Sequence, residues 1–237
     1  MVLSENKILM KLLALHPVFQ KNYGFLLVTL VVVLLVFPVF ARFQYVRIII
    51  DMFVTFSLLV AWVTTCSTTR QLRAGFILVA INLTARTISY LEPSFIASAL
   101  SMSTSLLFYP FVAILLIRDV LFGYERVSAN LYYGALSVYL LIGVSGAFLF
   151  GLLELFFPGS FLHGADPITS AFGGEIMNGE LFYFSLVTMT TLGYGDIAPN
   201  SLFAGIISSF LAICGQIYVA LVIARLVGLE IAQARSR

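Results

Sequence analysis

Long apolar runs separated by short polar segments dominate the sequence. Between the fifth and sixth runs, residues 158–200 are rich in Gly and Pro and include a short helix-like run at 179–190. That stretch is too short and too broken to cross a membrane twice, so we expect it to enter and leave on one side. The runs long enough to span about 30 Å of hydrocarbon as helices are 24–41, 46–65, 72–90, 94–117, 130–153 and 202–229.

Composition agrees with this pattern. The chain has 61% hydrophobic and only 10% charged residues, whereas soluble domains carry roughly a quarter charged residues. We therefore predict an all-α membrane protein with six transmembrane helices and a re-entrant segment between the fifth and sixth. The net charge of +2 is too small to indicate nucleic-acid binding. Cys66 and Cys214 both lie in apolar runs and are interpreted as small apolar residues.

The positions of Lys and Arg predict the orientation, because positive residues accumulate in cytoplasmic loops. With both termini cytoplasmic, only Arg42, Arg47 and Arg86 fall toward the outer side. Residues 158–200 are then external and acidic, which raises the local concentration of cations. From the short loops we expect a multi-pass protein of a prokaryotic plasma membrane. The cations predicted on the inner side are Lys7, Lys11, Lys21, Arg70, Arg73, Arg118, Arg126, Arg225, Arg235 and Arg237.

The stretch TMTTLGYGDIAP, residues 188–199, breaks the apolar pattern. Non-helical backbone at membrane depth is tolerated only where protein buries it or where it lines an aqueous pathway. Gly193 and Gly195 can adopt positive φ angles, and their alternation with Leu192 and Tyr194 would let successive carbonyls face one axis. The pattern therefore predicts a segment that lines a pathway.

TMTTLGYGD resembles the selectivity-filter signature of tetrameric potassium channels, with Leu192 where Val is more usual. The resemblance implies that the carbonyls of Thr191, Leu192, Gly193 and Tyr194 form stacked K⁺ sites, with the Thr191 hydroxyl at the innermost one. Gly195 completes the motif. One such strand cannot enclose an ion, so the resemblance also implies a C4 homotetramer. We call residues 191–195 the filter segment.

The same resemblance assigns supporting roles around the filter segment. Thr190 would support it from behind. The short helix-like run at 179–190 would be the pore helix of the family. Asp196 would accept a hydrogen bond from Tyr183 of this helix, at a position where Trp is common. Phe184 stands where another Trp is frequent, and Val187 stands where some prokaryotic channels carry Glu. These departures bear on filter stability and inactivation.

The last apolar run contains the candidate gate. Gly215 follows Thr191 by 24 residues, which matches the hinge glycine of the family. A glycine that permits close helix packing is the alternative interpretation. An apolar constriction can close a pore by dewetting, and the candidates for it are Ile217, Val219, Ala220, Ile223 and Ala224.

Six spans with a filter before the sixth also resemble the voltage-gated channel plan, but the fourth span carries no Lys or Arg before Arg118. Each charge that crosses the field contributes about 2.3 kcal/mol per 100 mV, so we expect no steep voltage dependence. Arg86 is expected to snorkel to the headgroups or to pair with an acid such as Glu92, with a ligand or lipid site as the alternative. His16 and His163 are expected to be solvated.

The predicted division of the chain follows from these segments. It comprises a cytoplasmic amphipathic segment (1–23), a four-helix membrane domain without gating arginines (24–118), an interfacial linker helix (119–129), the pore domain (130–229) and a short cytoplasmic tail (230–237).

The predicted function is passive, potassium-selective conduction, opened constitutively or by lipid, tension or pH. The expected partners are other copies of the chain and membrane lipids, and the only cofactor-like species is the permeant K⁺. The sequence contains no Ser/His/Asp set, metal-ligand cluster or phosphate loop that would indicate an enzyme. The alternatives are a potassium uptake transporter subunit, a non-conducting membrane scaffold or receptor subunit, and a cation channel that does not reject Na⁺.

Overall fold

The computed structural model describes residues 22–40, 56–57, 59–65, 68–92, 94–124, 126–168 and 179–235. Residues 59–65 are helical. The helices are α1 (Tyr23–Phe40), α2 (Thr69–Leu91), α3 (Phe95–Phe122), α4 (Ala129–Phe156), α5 (Gly179–Met189) and α6 (Leu202–Arg235). The strands are β1 (Phe161–His163), β2 (Asp166–Pro167) and β3 (Ile197–Pro199).

Four of these helices, α2, α3, α4 and α6, are long and apolar enough to cross a membrane. This confirms a mostly helical, multi-pass membrane protein. Helix α1 coincides with the first predicted span, and the second, 46–65, is described only in part. The six-span count therefore stays a prediction. The predicted amphipathic segment lies outside the described residues up to residue 21, as do His16 and Cys66.

Side-chain caps begin three of the long helices. Thr68 and Gln71 form a reciprocal capping box at the start of α2, and the Ser94 and Ser128 hydroxyls accept backbone N–H bonds at the starts of α3 and α4. Each cap satisfies an N–H group that the helix itself leaves unpaired. These short polar signals explain why the observed helix starts lie close to the predicted ones.

The connection between α3 and α4 differs from the prediction. In place of a separate linker helix over 119–129, α3 continues to Phe122 and is capped at Gly123, whose N–H bonds to the Asp119 carbonyl. The described residues between Gly123 and Ser128 are not helical. The prediction was wrong because it took this stretch as one amphipathic unit, whereas a glycine ends one helix and a serine starts the next.

Arg86 does not snorkel. Its side chain is only 4% exposed, and it lies one turn after Asn82, whose amide donates to Thr104 and Ser105 of α3 at 3.0 and 2.8 Å. Arg86 is thus on the face of α2 that carries buried polar contacts to α3. An ionisable side chain in a membrane segment usually faces the interior of the bundle in this way.

Four hydrogen bonds in series surround the corner where α3 turns into α4. Arg225 of α6 donates to the Tyr124 carbonyl at 2.8 Å, and the Tyr124 hydroxyl accepts from Asn130 at 2.7 Å. Asn130 in turn accepts from the Tyr23 N–H at 3.0 Å, and the Tyr23 hydroxyl donates to Asp119 at 2.6 Å. This corner network joins α1, α3, α4 and α6.

A small antiparallel sheet, in the order β2-β1-β3, lies between α4 and α6. Strand β1 pairs with β3, so that His163 is opposite Ile197. The Glu154 carboxylate accepts the backbone N–H groups of Gly159 and Phe161 at 2.5 and 3.1 Å, which fixes the turn into β1. None of these strands is predicted from the sequence, and they hold the chain on either side of the filter segment together.

Candidate functional site

Helix α5, the expected pore helix, packs against α4 at Gly143 and Gly146, which we call the notch. Ser185 of α5 donates to the Gly143 carbonyl at 2.6 Å. A Cβ added at Gly146 would meet the Leu211 side chain of α6 at 2.5 Å. The two glycines therefore allow three helices to converge, and a Cβ at either one would require the neighbouring side chains to shift.

A turn bonded to the pore helix ends it and starts the filter segment. The Leu192 N–H bonds to the Val187 carbonyl and the Thr191 N–H to the Thr188 carbonyl, both at 3.0 Å. This pair of bonds is the Schellman motif, in which the residue after the cap takes a left-handed conformation. That residue is usually Gly, but here it is Thr191, at φ +57°.

Left-handed backbone recurs at every second residue of this segment. Gly193 has φ +57° and Gly195 has φ +80°, and Thr191 is the only non-glycine residue of the described chain with positive φ. Alternating right- and left-handed residues turn successive N–H groups to one side and their carbonyls to the other. A β-branched residue with positive φ is strained, and such strain is concentrated at functional sites.

The filter segment lies open in the single chain. All residues from Thr190 to Asp196 are exposed, and a Cβ at Gly193 or Gly195 would meet nothing within 4 Å. Irregular backbone open to lipid would leave polar groups unsatisfied. The segment must therefore face water or other protein.

Tyr183 and Asp196 meet at the far end of the segment. The Tyr183 hydroxyl donates to Asp196 Oδ2 at 2.9 Å, and the Asp196 carbonyl accepts the Gly164 N–H at 2.9 Å. The bond from Tyr183 holds the pKa of Asp196 below its ordinary value, and nearby His163 acts in the same direction. Asp196 is thus tied both to the pore helix and to the turn after β1.

The other residues expected to support the filter segment differ in placement. Phe184 and Val187 are buried, and the Phe184 ring lies 5.1 and 5.3 Å from those of Phe150 and Phe161. Thr190 is exposed, and its hydroxyl donates to the Leu186 carbonyl at 2.7 Å. This is a side-chain bond to the carbonyl four residues earlier in its own helix, and the role of Thr190 in supporting the filter segment stays a prediction.

Gly215 lies where α6 crosses the end of the pore helix. A Cβ there would meet the Met189 carbonyl and would lie 2.6 Å from Met189 Cγ. This contact favours the packing interpretation of Gly215, and its role as a hinge stays a prediction. The gate candidates, all exposed on α6 in the single chain, are Ile217, Val219, Ala220, Ile223 and Ala224.

Two side chains at this site were not assigned a role from the sequence. Gln216 Nε2 lies 3.4 Å from the Thr191 hydroxyl; a polar residue directly after the glycine of an apolar run could have indicated it. His163, expected to be solvated without a partner, lies with Nδ1 3.0 Å from the Glu180 carboxylate at the start of the pore helix. That pairing depends on β1, which the sequence did not predict.

Comparison with known families gives one match. Residues 135–229 match the family model described as "Ion channel". The match begins in α4, includes the pore helix and the filter segment, and ends in α6, and it covers less than half of the chain. No solved structure matches the chain. The match supports an ion-channel domain at residues 135–229 of a multi-pass membrane protein.

Proposed function

We propose that the protein is a potassium-selective channel in which four copies of the chain surround one pore. The observation that carries the proposal is the alternation of left-handed backbone at Thr191, Gly193 and Gly195. It occurs in the segment whose sequence resembles a potassium filter. Carbonyls turned to one side can replace the hydration shell of K⁺ when four strands converge.

The tetramer is supported by the surfaces that remain exposed in the single chain. The filter segment is exposed, and α6 is the least buried of the four candidate spans. Phe210 and Ile213 of α6 are 64% and 54% exposed. Three further copies around an axis beside α6 would cover this face and enclose the filter segment. Native mass spectrometry in detergent should then give four chains per particle.

Weak voltage dependence is part of the proposal. Helix α3, the counterpart of a voltage-sensing helix, has no Lys or Arg before Arg118, near its end. Without charges to move through the field, voltage contributes little to opening. We expect the open probability to change only shallowly over 100 mV, and a steep, saturating dependence would contradict this part of the proposal.

The reversal potential of purified protein in planar bilayers under opposed K⁺ and Na⁺ gradients tests selectivity. Gly193→Ala adds a Cβ at φ +57° inside the filter segment, and Gly159→Ala adds one at φ +81° in a turn that makes no contact with that segment. We expect reversal near the K⁺ Nernst potential in the wild type and in Gly159→Ala, and loss of selectivity in Gly193→Ala. Reversal near zero, or no current from folded tetramers, would contradict the proposal.

A further inference from the structure

One polar side chain interrupts the exposed apolar face of α6. From Phe210 to Leu229, all of which the structure describes, Gln216 is the only exposed residue with a hydrogen-bonding side chain. A carboxamide in hydrocarbon costs free energy unless it finds a polar partner. This position of α6 therefore faces water or polar protein, although its neighbours Ile213 and Ile217 are apolar.

The partner of Gln216 is the first residue of the filter segment. Gln216 Nε2 lies 3.4 Å from Thr191 Oγ1, at the long end of the hydrogen-bond range. Gly215 makes this possible, since its missing side chain lets α6 approach Met189 at the end of the pore helix. The residue after Gly215 is thereby placed beside the residue that follows the pore helix.

The contact acts on the atom that would bind the innermost ion. A hydroxyl oxygen has two lone pairs and one proton. When Gln216 donates to one lone pair of Thr191, the other is left for a cation and the rotation of the hydroxyl is restricted. The amide carbonyl of Gln216 adds an oxygen of the type that replaces water around K⁺.

We propose that Gln216 is a positioning residue that sets cation affinity at the inner entrance of the filter segment, by orienting the Thr191 hydroxyl and contributing a polar ring in the tetramer. This rests on the proposed function, and it adds a residue outside the filter motif to the ion site. The ring is neutral, so it concentrates cations through dipoles rather than through net charge.

Block by Ba²⁺ applied from the side of the α6 C-terminus tests the proposal, because Ba²⁺ is close to K⁺ in size and occupies oxygen sites built for it. Gln216→Leu removes both polar atoms at similar volume and should weaken the block about threefold, the effect of one lost neutral hydrogen bond. Gln216→Glu keeps the length, adds negative charge and should strengthen the block. Ile213→Leu, a nearby exposed apolar exchange, should leave it unchanged.

Block within about twofold of the wild type in both Gln216 variants would overturn the inference. If Gln216→Leu does not assemble, Gln216→Asn decides, since an amide one methylene shorter no longer reaches Thr191 and should also weaken the block. A wild type without K⁺-selective current would contradict the proposed function itself. A K⁺-selective wild type whose Ba²⁺ block is unaffected by the substitutions at Gln216 would contradict only this inference.

Discussion

The Tyr183 hydroxyl and the Asp196 carboxylate are joined by a hydrogen bond of 2.9 Å at the far end of the filter segment. Tyr183 belongs to the pore helix before the segment, and Asp196 is the first residue after it. The bond therefore closes a loop around the strained backbone between them. It holds the far end of the filter segment in place, and it involves none of the carbonyls proposed to bind ions.

Breaking this bond should affect the stability of the filter segment more than its selectivity. Tyr183→Phe removes the donor and keeps the ring, so the K⁺ reversal potential should be retained while current during sustained opening decays about threefold faster, as expected for one lost hydrogen bond. Asp196→Asn keeps an acceptor and should decay more slowly than Tyr183→Phe. Equal decay in Tyr183→Phe and the wild type would show that the bond does not hold the segment.

The pH dependence follows from the lowered pKa of Asp196. An acid whose pKa is lowered in the folded state stabilises that state at pH values above its ordinary pKa of about 4, and this contribution is lost as pH falls through the lowered value. Wild-type current decay should thus be constant from pH 7 to about 5 and accelerate only below about 4.

Two variants check the cause of that dependence. Tyr183→Phe removes the hydrogen bond that contributes most to lowering the pKa of Asp196. Acid sensitivity of current decay should therefore begin at a higher pH than in the wild type. Asp196→Asn has no ionisable group at this position, so its current decay should not accelerate below about pH 4. Current decay recorded against outer pH gives both results, and an unchanged acceleration at acid pH in Asp196→Asn would assign the effect to another group.

At position 191 the Gly variant should be more stable than the Ala variant, which is the reverse of the order in a helix interior. In a helix interior Ala is more stable than Gly, but at φ +57° a residue with a Cβ costs about 1–2 kcal/mol. Thr191→Gly should therefore unfold at a higher temperature than Thr191→Ala, although both lose the hydroxyl. Thermal denaturation of the detergent-solubilised protein measures this, and a more stable Thr191→Ala would mean that the left-handed turn relaxes.

The notch on α4 should tolerate no side chain. Gly146→Ala places a Cβ against Ser185 and Leu211, and overpacking of this kind costs about 1–3 kcal/mol. Gly228→Ala in α6 is the matched control, since a Cβ there meets nothing within 4 Å and helix propensity favours Ala by about 1 kcal/mol. The melting temperature should fall for the first variant and hold or rise for the second.

The parts of the site that sequence predicts well are the ones encoded locally. Gly193 and Gly195 indicate left-handed backbone by their own chemistry. The Tyr183 and Asp196 positions are fixed by their spacing from the same motif, and the structure brings their side chains together. Helix starts at Thr68, Ser94 and Ser128 likewise have short polar signals.

What the sequence did not reveal depends on residues distant along the chain. The contact of Gln216 with Thr191 requires α6 to cross the end of the pore helix, and the pairing of His163 with Glu180 requires β1. Arg86 was expected to snorkel or to pair with an acid such as Glu92 because it lies near the helix end, but that distance does not indicate which face of the helix it occupies. Its burial against α3 follows from helix packing.

The corner network has a consequence for how the chain can be divided. A fragment reduced to α4, the pore helix and α6 would keep Asn130 and Arg225 but lose Tyr23, Asp119 and Tyr124. Polar atoms that the intact protein satisfies internally would then be exposed at the end of the bundle. The ion-channel domain is thus built as one part of a larger body, and α1 and the end of α3 serve it as a structural foundation.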